Sequence, residues 1–190
     1  SLCIAGPSTI QSYVRHALEL TETYVRFPIE FIDCARLDGD PVFEWGDNTI
    51  HGFAVNHRIE AYGFTFAHRP STQKIYKDSI AVHALRRSEI INLKAGADVT
   101  REGGSVLRVA ELCAPLKPAI NYTYSGDTRP TESVTKAARN ADVLYHEATF
   151  LQELASTAKS TGHSTAHQAA KLGREAGVRL LILGHLSSRY

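Results

Sequence analysis

Strands and helices alternate over the C-terminal part of this sequence, and this pattern restricts the possible folds more than any other feature. The apolar pattern predicts strands at 119–124, 142–146 and 179–183, separated by helices at 130–140 and 166–176. Such an alternation is typical of a sheet that is covered by helices. The sequence therefore predicts an α/β fold, in which chemistry gathers where strands end and loops begin.

Residues at the helix ends support these boundaries. Pro130 suits the first turn of the helix at 130–140. Thr165 and Gln168 have the spacing of a capping box, and Gly177 suits a C-terminal cap. Upstream, the pattern predicts further strands at 29–34, 43–45 and 52–66, where turn residues separate the last two.

Composition limits the class of protein. The chain has 190 residues, a formal net charge of +1 and three cysteines, none of them in a C-x-x-C pair. A net charge this small excludes a globally basic nucleic-acid binder but permits a local basic patch. The odd cysteine count, with no readable signal peptide or membrane span, leads us to expect a cytoplasmic protein. The sequence contains no methionine, so we expect Ser1 to follow an upstream segment of a longer protein.

A basic stretch covers residues 68–94. It has six Lys or Arg residues and two acidic residues, which gives a local charge of +4 (6 − 2). Short helices are predicted here, and Tyr76 is the only Phe, Tyr or Trp. Such a stretch is either an ordinary solvated face or a surface that binds a polyanion.

Polar clusters follow or adjoin the predicted strands of the C-terminal part. A single Asp or His in such a place is more often a turn or packing residue, but four clusters together favour a functional site. The clusters begin at Ser125, His146, His163 and His185.

The residue types in these clusters suit a metal site. Asp and His are ligands for zinc, manganese or iron, and the two oxygens of Asp127 could bridge two metal ions. Glu147 and His163 could together form an oriented proton donor. The alternative is a nucleotide-binding sheet with incidental histidines, but the sequence has no glycine-rich phosphate loop.

Five short motifs resemble those of the ribonuclease Z family of the metallo-β-lactamase superfamily. They are Tyr-Ser-Gly-Asp-Thr-Arg-Pro at 124–130, His-Glu-Ala-Thr-Phe at 146–150, His-Ser-Thr at 163–165, Gly-His-Leu-Ser-Ser-Arg-Tyr at 184–190 and Asn-His-Arg-Ile-Glu-Ala-Tyr-Gly-Phe at 56–64. Their order and spacing also match. The resemblance implies the αβ/βα sandwich of that superfamily, of which this chain is the C-terminal two-thirds.

The resemblance also implies roles for individual residues. His57 and His185 would each bind one of two divalent metal ions, usually Zn²⁺, and Asp127 would bridge them. Glu147 would orient His163, which would protonate the leaving 3′ oxygen after attack by a metal-activated hydroxide. The implied substrate is precursor tRNA, from which the 3′ trailer is removed, and the family suggests a homodimer.

Two departures from the family pattern limit this chain. The signature H-x-H-x-D-H is absent, and three ligands cannot enclose two metal ions, so we expect the chain alone to be inactive or strongly impaired. The arm that grips tRNA, at roughly 70–104, lacks the glycine-proline-rich tip, although Arg86 and Arg87 suit phosphate binding. Two alternatives remain: another hydrolase of the superfamily, such as an esterase or different phosphodiesterase, and a catalytically inactive partner for tRNA binding or dimerisation.

Overall fold

The computed structural model describes all 190 residues. The strands are β1 Leu2–Gly6, β2 Ile29–Asp33, β3 Phe43–Trp45, β4 Asn48–Ala54, β5 Tyr62–His68, β6 Lys74–Ile75, β7 Val99–Thr100, β8 Val106–Leu107, β9 Cys113–Ala114, β10 Ile120–Tyr124, β11 Val143–Glu147 and β12 Leu180–Gly184. The helices are α1 Thr9–Leu20, α2 Lys77–Val82, α3 Arg87–Lys94, α4 Val109–Leu112, α5 Glu132–Ala137, α6 Ala155–Thr161 and α7 Ala166–Ala176. None of these helices has the length and apolar character needed to cross a membrane.

The chain forms two compact units. Unit 1 combines Ser1–Ala67 with Ile120–Tyr190, and unit 2 is His68–Ala119. The arm predicted at roughly 70–104 lies inside unit 2. The unit extends beyond residue 104 because β9 returns to pair with β6 in antiparallel fashion.

A six-stranded sheet in the order β12-β11-β10-β5-β4-β3 organises unit 1. Strands β10, β11 and β12 are parallel, with Tyr124 opposite Tyr145 and Glu147 opposite Gly184. The predicted strand–helix alternation is confirmed here, because α5 connects β10 to β11 while α6 and α7 connect β11 to β12. The carboxyl ends of these three strands therefore lie at one edge of the sheet.

One face of this sheet packs against α5 and α7. Val134, Leu144, Leu172 and Ala176 form the buried cluster between the helices and the strands. The opposite face exposes large side chains, among them 43% of Ile182. In a sandwich, such a face packs against a second sheet.

The caps predicted from the sequence are present at α7, whereas the start predicted for α5 is wrong. Thr165 accepts a hydrogen bond from the Gln168 amide at 3.1 Å, and the Gln168 side chain accepts one from the Thr165 amide at 2.9 Å. The helix predicted at 130–140 is shorter, because extended Thr131 is its N-cap and accepts from the Ser133 amide at 3.1 Å. Pro130 therefore lies outside the helix.

The predicted strand at 52–66 is in fact two strands, β4 and β5. The Val55 amide donates to the Ala61 carbonyl at 3.1 Å, which closes a loop between them. This loop contains His57, and so His57 projects from a turn rather than from a strand.

Unit 2 has a small apolar core and a buried carboxylate, Glu89, that pairs with Arg101. Ile75, Leu93, Leu107 and Leu112 are buried together. The Arg101 guanidinium donates to both oxygens of Glu89, at 2.7 Å each.

Candidate functional site

The polar clusters meet at the carboxyl edge of the three parallel strands. Asp127 follows β10, Glu147 is the last residue of β11, and His185 directly follows β12. The loop between β4 and β5 adds His57, and His163 lies between α6 and α7. Five separate segments of unit 1 thus contribute to one site.

Three of these residues form a candidate ligand set. His57, Asp127 and His163 each offer a ligand atom within 4.8 Å of the others. His185 lies beside them, with Nδ1 3.6 Å from Asp127 Oδ1. The ring of His163 contacts both other imidazoles, with centroid distances of 5.1 Å to His57 and 5.3 Å to His185. The structure therefore brings together His57, Asp127 and His185, the three ligands expected from the sequence. His163 lies close enough to His57 and Asp127 to be a further candidate ligand.

Glu147 is a buried carboxylate with four hydrogen-bond donors. Oε1 accepts from the Thr128 amide at 3.2 Å and from His163 Nδ1 at 2.8 Å. Oε2 accepts from the amide and the hydroxyl of Thr149, at 3.0 and 2.9 Å. A buried charge is costly unless its oxygens are satisfied in this way. These donors satisfy both oxygens of Glu147 beneath the site, and the bond with Nδ1 fixes the ring of His163.

The histidines of the site share one orientation. His57 Nδ1 lies 2.8 Å from the Gly162 carbonyl, His163 Nδ1 lies 2.8 Å from Glu147, and His185 Nδ1 lies 2.7 Å from the Thr149 hydroxyl. Carbonyl and carboxylate oxygens only accept, so Nδ1 of His57 and His163 carries the proton and Nε2 keeps its lone pair. Metal-binding histidines commonly show this pattern. Together with the Asp127 carboxylate, the donor set fits a borderline divalent cation such as Zn²⁺.

Hydrogen bonds also position the loop that contains His57. The Asn56 amide donates to Thr128 Oγ1 at 3.0 Å, and the Arg129 amide donates to the Asn56 carbonyl at 2.8 Å. The Arg129 side chain adds bonds to Asn56 Oδ1 at 2.8 Å and to the Lys159 carbonyl at 2.7 Å. The segment after β10 therefore fixes His57 relative to Asp127.

His146 has a different setting from the other histidines. It is completely buried, and its Nδ1 lies 2.7 Å from the Glu147 carbonyl. Burial holds the pKa of His146 below its usual value. It is therefore a neutral interior residue, although it begins one of the polar clusters.

Arg86 and Arg87 belong to unit 2. Both are exposed at the start of α3, and Arg86 Nε lies 3.9 Å from Glu89. The Glu89 carboxylate also accepts from the Arg86 amide at 2.8 Å, which fixes the first turn of α3.

The sequence did not reveal two residues that orient the site. Gly162 supplies the acceptor for His57, and Thr149 contacts both Glu147 and His185. Thr149 lies in the motif at 146–150, but the only available signal was its position beside Glu147. Its contact with His185 spans 36 residues and depends on the pairing of β11 with β12.

Solved structures identify the fold. The metallo-β-lactamase fold protein YhfI from Bacillus subtilis aligns with a TM-score of 0.56 at 17% identity, over 99% of this chain and 53% of that one. The short form of human tRNase Z aligns with a TM-score of 0.63 at 19% identity, over 99% of this chain and 62% of that one. The protein therefore has the metallo-β-lactamase fold, as the sequence predicted.

Comparison with protein sequences shows which proteins of this fold the chain resembles. No protein-family model matches the chain. Ribonuclease Z of Cytophaga hutchinsonii is 35% identical over 188 residues, which are 98% of this chain and 60% of that protein. The chain is thus similar to ribonucleases Z over nearly its whole length, and it spans about 60% of the length of the curated relatives that it matches.

Proposed function

We propose that this chain is part of a metal-dependent endoribonuclease that removes 3′ trailers from precursor tRNA. The observation that carries the proposal is the placement of His163. Its Nδ1 is bonded to buried Glu147, and its ring lies beside His57, Asp127 and His185. The ribonuclease Z relatives favour this function over that of an esterase.

In this proposal His57, Asp127 and His185 hold divalent cations, most simply two Zn²⁺ ions. The metal, when bound, supplies Lewis-acid polarisation of the phosphate and activation of water. Three ligands are too few for two ions, so this scheme needs ligands in addition to these three. The residues present here orient the donors and provide a proton.

His163 is the proton donor in this scheme. Cleavage of a phosphodiester leaves a 3′ alkoxide, which is a poor leaving group unless it is protonated. Glu147 accepts from the Nδ1 side of the ring. A ring protonated at both nitrogens would therefore give its Nε2 proton to the leaving oxygen and return to the neutral form with Nδ1–H facing Glu147. General acid catalysis of this kind contributes roughly 10²–10⁴-fold to the rate.

The position of His163 near Asp127 raises a competing role as a metal ligand. Substitution His163→Ala in the whole encoded protein separates the two roles. A general acid predicts a loss of roughly 10²–10⁴-fold on precursor tRNA, with metal content and tRNA affinity nearly unchanged. A nitrophenyl phosphodiester, whose leaving group needs little protonation, should lose far less rate.

Exposed His167 on α7 provides the control, and His167→Ala should behave as wild type. Equal losses on both substrates, or loss of metal from the His163→Ala protein, would assign His163 to the metal instead. Absence of cleavage by the unaltered protein, with metal bound, would refute the proposed function itself.

We further propose that unit 2 binds the phosphates of tRNA. All six Lys and Arg side chains at 68–94 are exposed, and only Arg86 among them pairs with a carboxylate. The scarcity of aromatic residues disfavours base stacking. Charge reversal at Arg86 and Arg87 should weaken tRNA binding and reduce the salt dependence of log Kd. Charge reversal at Lys171, on α7 of unit 1, is the control, and an unchanged salt series for the double variant would contradict the assignment.

We also propose that the protein is cytoplasmic and forms a homodimer. The three cysteines are free, which suits a reducing cytoplasm. A homodimer is expected from the family resemblance, and sedimentation of the encoded protein would test it.

A further inference from the structure

We propose that Thr149 is a positioning residue: its hydroxyl accepts the Nδ1–H of His185 and so leaves Nε2 of His185 as the nitrogen that binds metal. The metal-binding part of this inference rests on the proposed function. The position of the proton on His185 does not, because it follows from hydrogen-bond donors and acceptors in the chain itself.

The direction of each hydrogen bond can be worked out from Glu147. An ionised carboxylate only accepts, so the single hydroxyl proton of Thr149 points to Glu147 Oε2, 2.9 Å away. The lone pairs of Thr149 Oγ1 then face His185 Nδ1 at 2.7 Å. Two oxygen lone pairs facing a bare nitrogen lone pair would repel, so Nδ1 of His185 carries a proton and donates it to Thr149.

A second acceptor lies near the same nitrogen. Asp127 Oδ1 is 3.6 Å from His185 Nδ1, and a nearby anion favours a proton there. His163 Nδ1, 3.3 Å from Thr149 Oγ1, is bonded more closely to Glu147 at 2.8 Å and so leaves the hydroxyl to His185. One threonine hydroxyl therefore links the carboxylate that orients His163 to the imidazole of His185.

Backbone bonds hold Thr149 and His185 against each other. The Ala148 amide donates to the Gly184 carbonyl at 2.8 Å, and the Ser187 amide donates to the Thr149 carbonyl at 3.2 Å. His185 itself has a φ of +56°, which is uncommon for a residue other than glycine. A strained residue of this kind persists where its surroundings hold it, and here those bonds lie on both sides of it.

The substitution Thr149→Val tests the role because it replaces the hydroxyl with a methyl group of similar size. In the ¹⁵N-labelled, metal-free chain, two-bond ¹H–¹⁵N spectra at a pH well above the histidine pKa of about 6.5 report which ring nitrogen is protonated. Wild type and Thr149→Ser should show His185 protonated at Nδ1. Thr149→Val should show a mixture of the two tautomers, and His185→Ala assigns the signals.

Metal affinity is the second measurement, made by titration of the same chain with Zn²⁺. Loss of a residue that orients a metal ligand typically weakens affinity by about 10–100-fold. We expect this loss for Thr149→Val and near wild-type affinity for Thr149→Ser. Thr123→Val is the matched control, since it removes another buried threonine hydroxyl, which donates to Ala137 at 3.3 Å.

The outcomes separate this inference from the proposed function. His185 protonated at Nε2 in wild type, or a tautomer unchanged in Thr149→Val, would overturn the inference. A changed tautomer with unchanged Zn²⁺ affinity would overturn the positioning role. The expected tautomers with no Zn²⁺ binding by wild type would support the hydrogen-bond pattern and count against the proposed metal site instead.

Discussion

Substitution Gly162→Ala should separate backbone strain from the placement of His57. Gly162 ends α6 with a φ of +88°, and its carbonyl accepts the bond from His57 Nδ1. A Cβ at this position would lie 2.8 Å from His57 Nδ1 and 3.2 Å from the Arg58 amide nitrogen. Alanine therefore both strains the backbone and forces His57 to move.

Backbone strain and the displacement of His57 can be separated with one control substitution. A residue with a side chain in the left-handed region costs about 1–2 kcal/mol in unfolding free energy. Gly39 has a similar φ of +94°, and its Cβ would meet nothing within 4 Å. Gly39→Ala should therefore show the strain alone. Gly162→Ala should lose at least as much stability and should also bind Zn²⁺ about 10–100-fold more weakly, because His57 loses its orienting carbonyl.

Urea denaturation of the metal-free chain measures the first quantity, and titration of the chain with Zn²⁺ against a chromophoric chelator measures the second. Zn²⁺ binding by both variants as tight as that of wild type would refute the role of Gly162 in placing His57. An equal loss of affinity in Gly39→Ala and Gly162→Ala would refute it too, since the loss would then come from general destabilisation.

Three further substitutions test the packing and the ion pair. Hydrogen bonds from the Arg101 guanidinium lower the pKa of Glu89 from 4.5 to about 2, so the ion pair stabilises the fold fully above about pH 4.5 and is lost as pH falls towards 2. Glu89→Gln should lower the thermal midpoint at neutral pH, and a difference from wild type that does not shrink on acidification would contradict this. Leu144→Ala removes a fully buried side chain and should cost about 2–5 kcal/mol in urea denaturation, whereas Leu180→Ala, 53% exposed, should cost much less. In Gly63→Ala the added Cβ would overlap the ring of Phe53, so the substitution should lower the free energy of unfolding by about 1–3 kcal/mol. A stability equal to that of wild type would refute this packing.

The local pattern determined the elements that depend on neighbours in sequence. The capping box of Thr165 and Gln168 and the cap at Gly177 were predicted and confirmed, because each uses atoms a few residues apart. The motifs at 146–150 and 163–165 likewise indicated Glu147 and His163. The strand at 52–66 was predicted too long, because the contact that holds its central loop comes from Arg129, more than seventy residues away.

Tertiary structure alone decided how the site is oriented. The pairing of β11 with β12 places Thr149 beside His185, and the end of α6 places the Gly162 carbonyl beside His57. A hydrogen bond depends on distance and direction between two atoms, and these are set by the packing of distant segments. The sequence by itself therefore indicated which residues could take part in the chemistry, whereas the fold sets which oxygen atom lies against Nδ1 of each of these histidines.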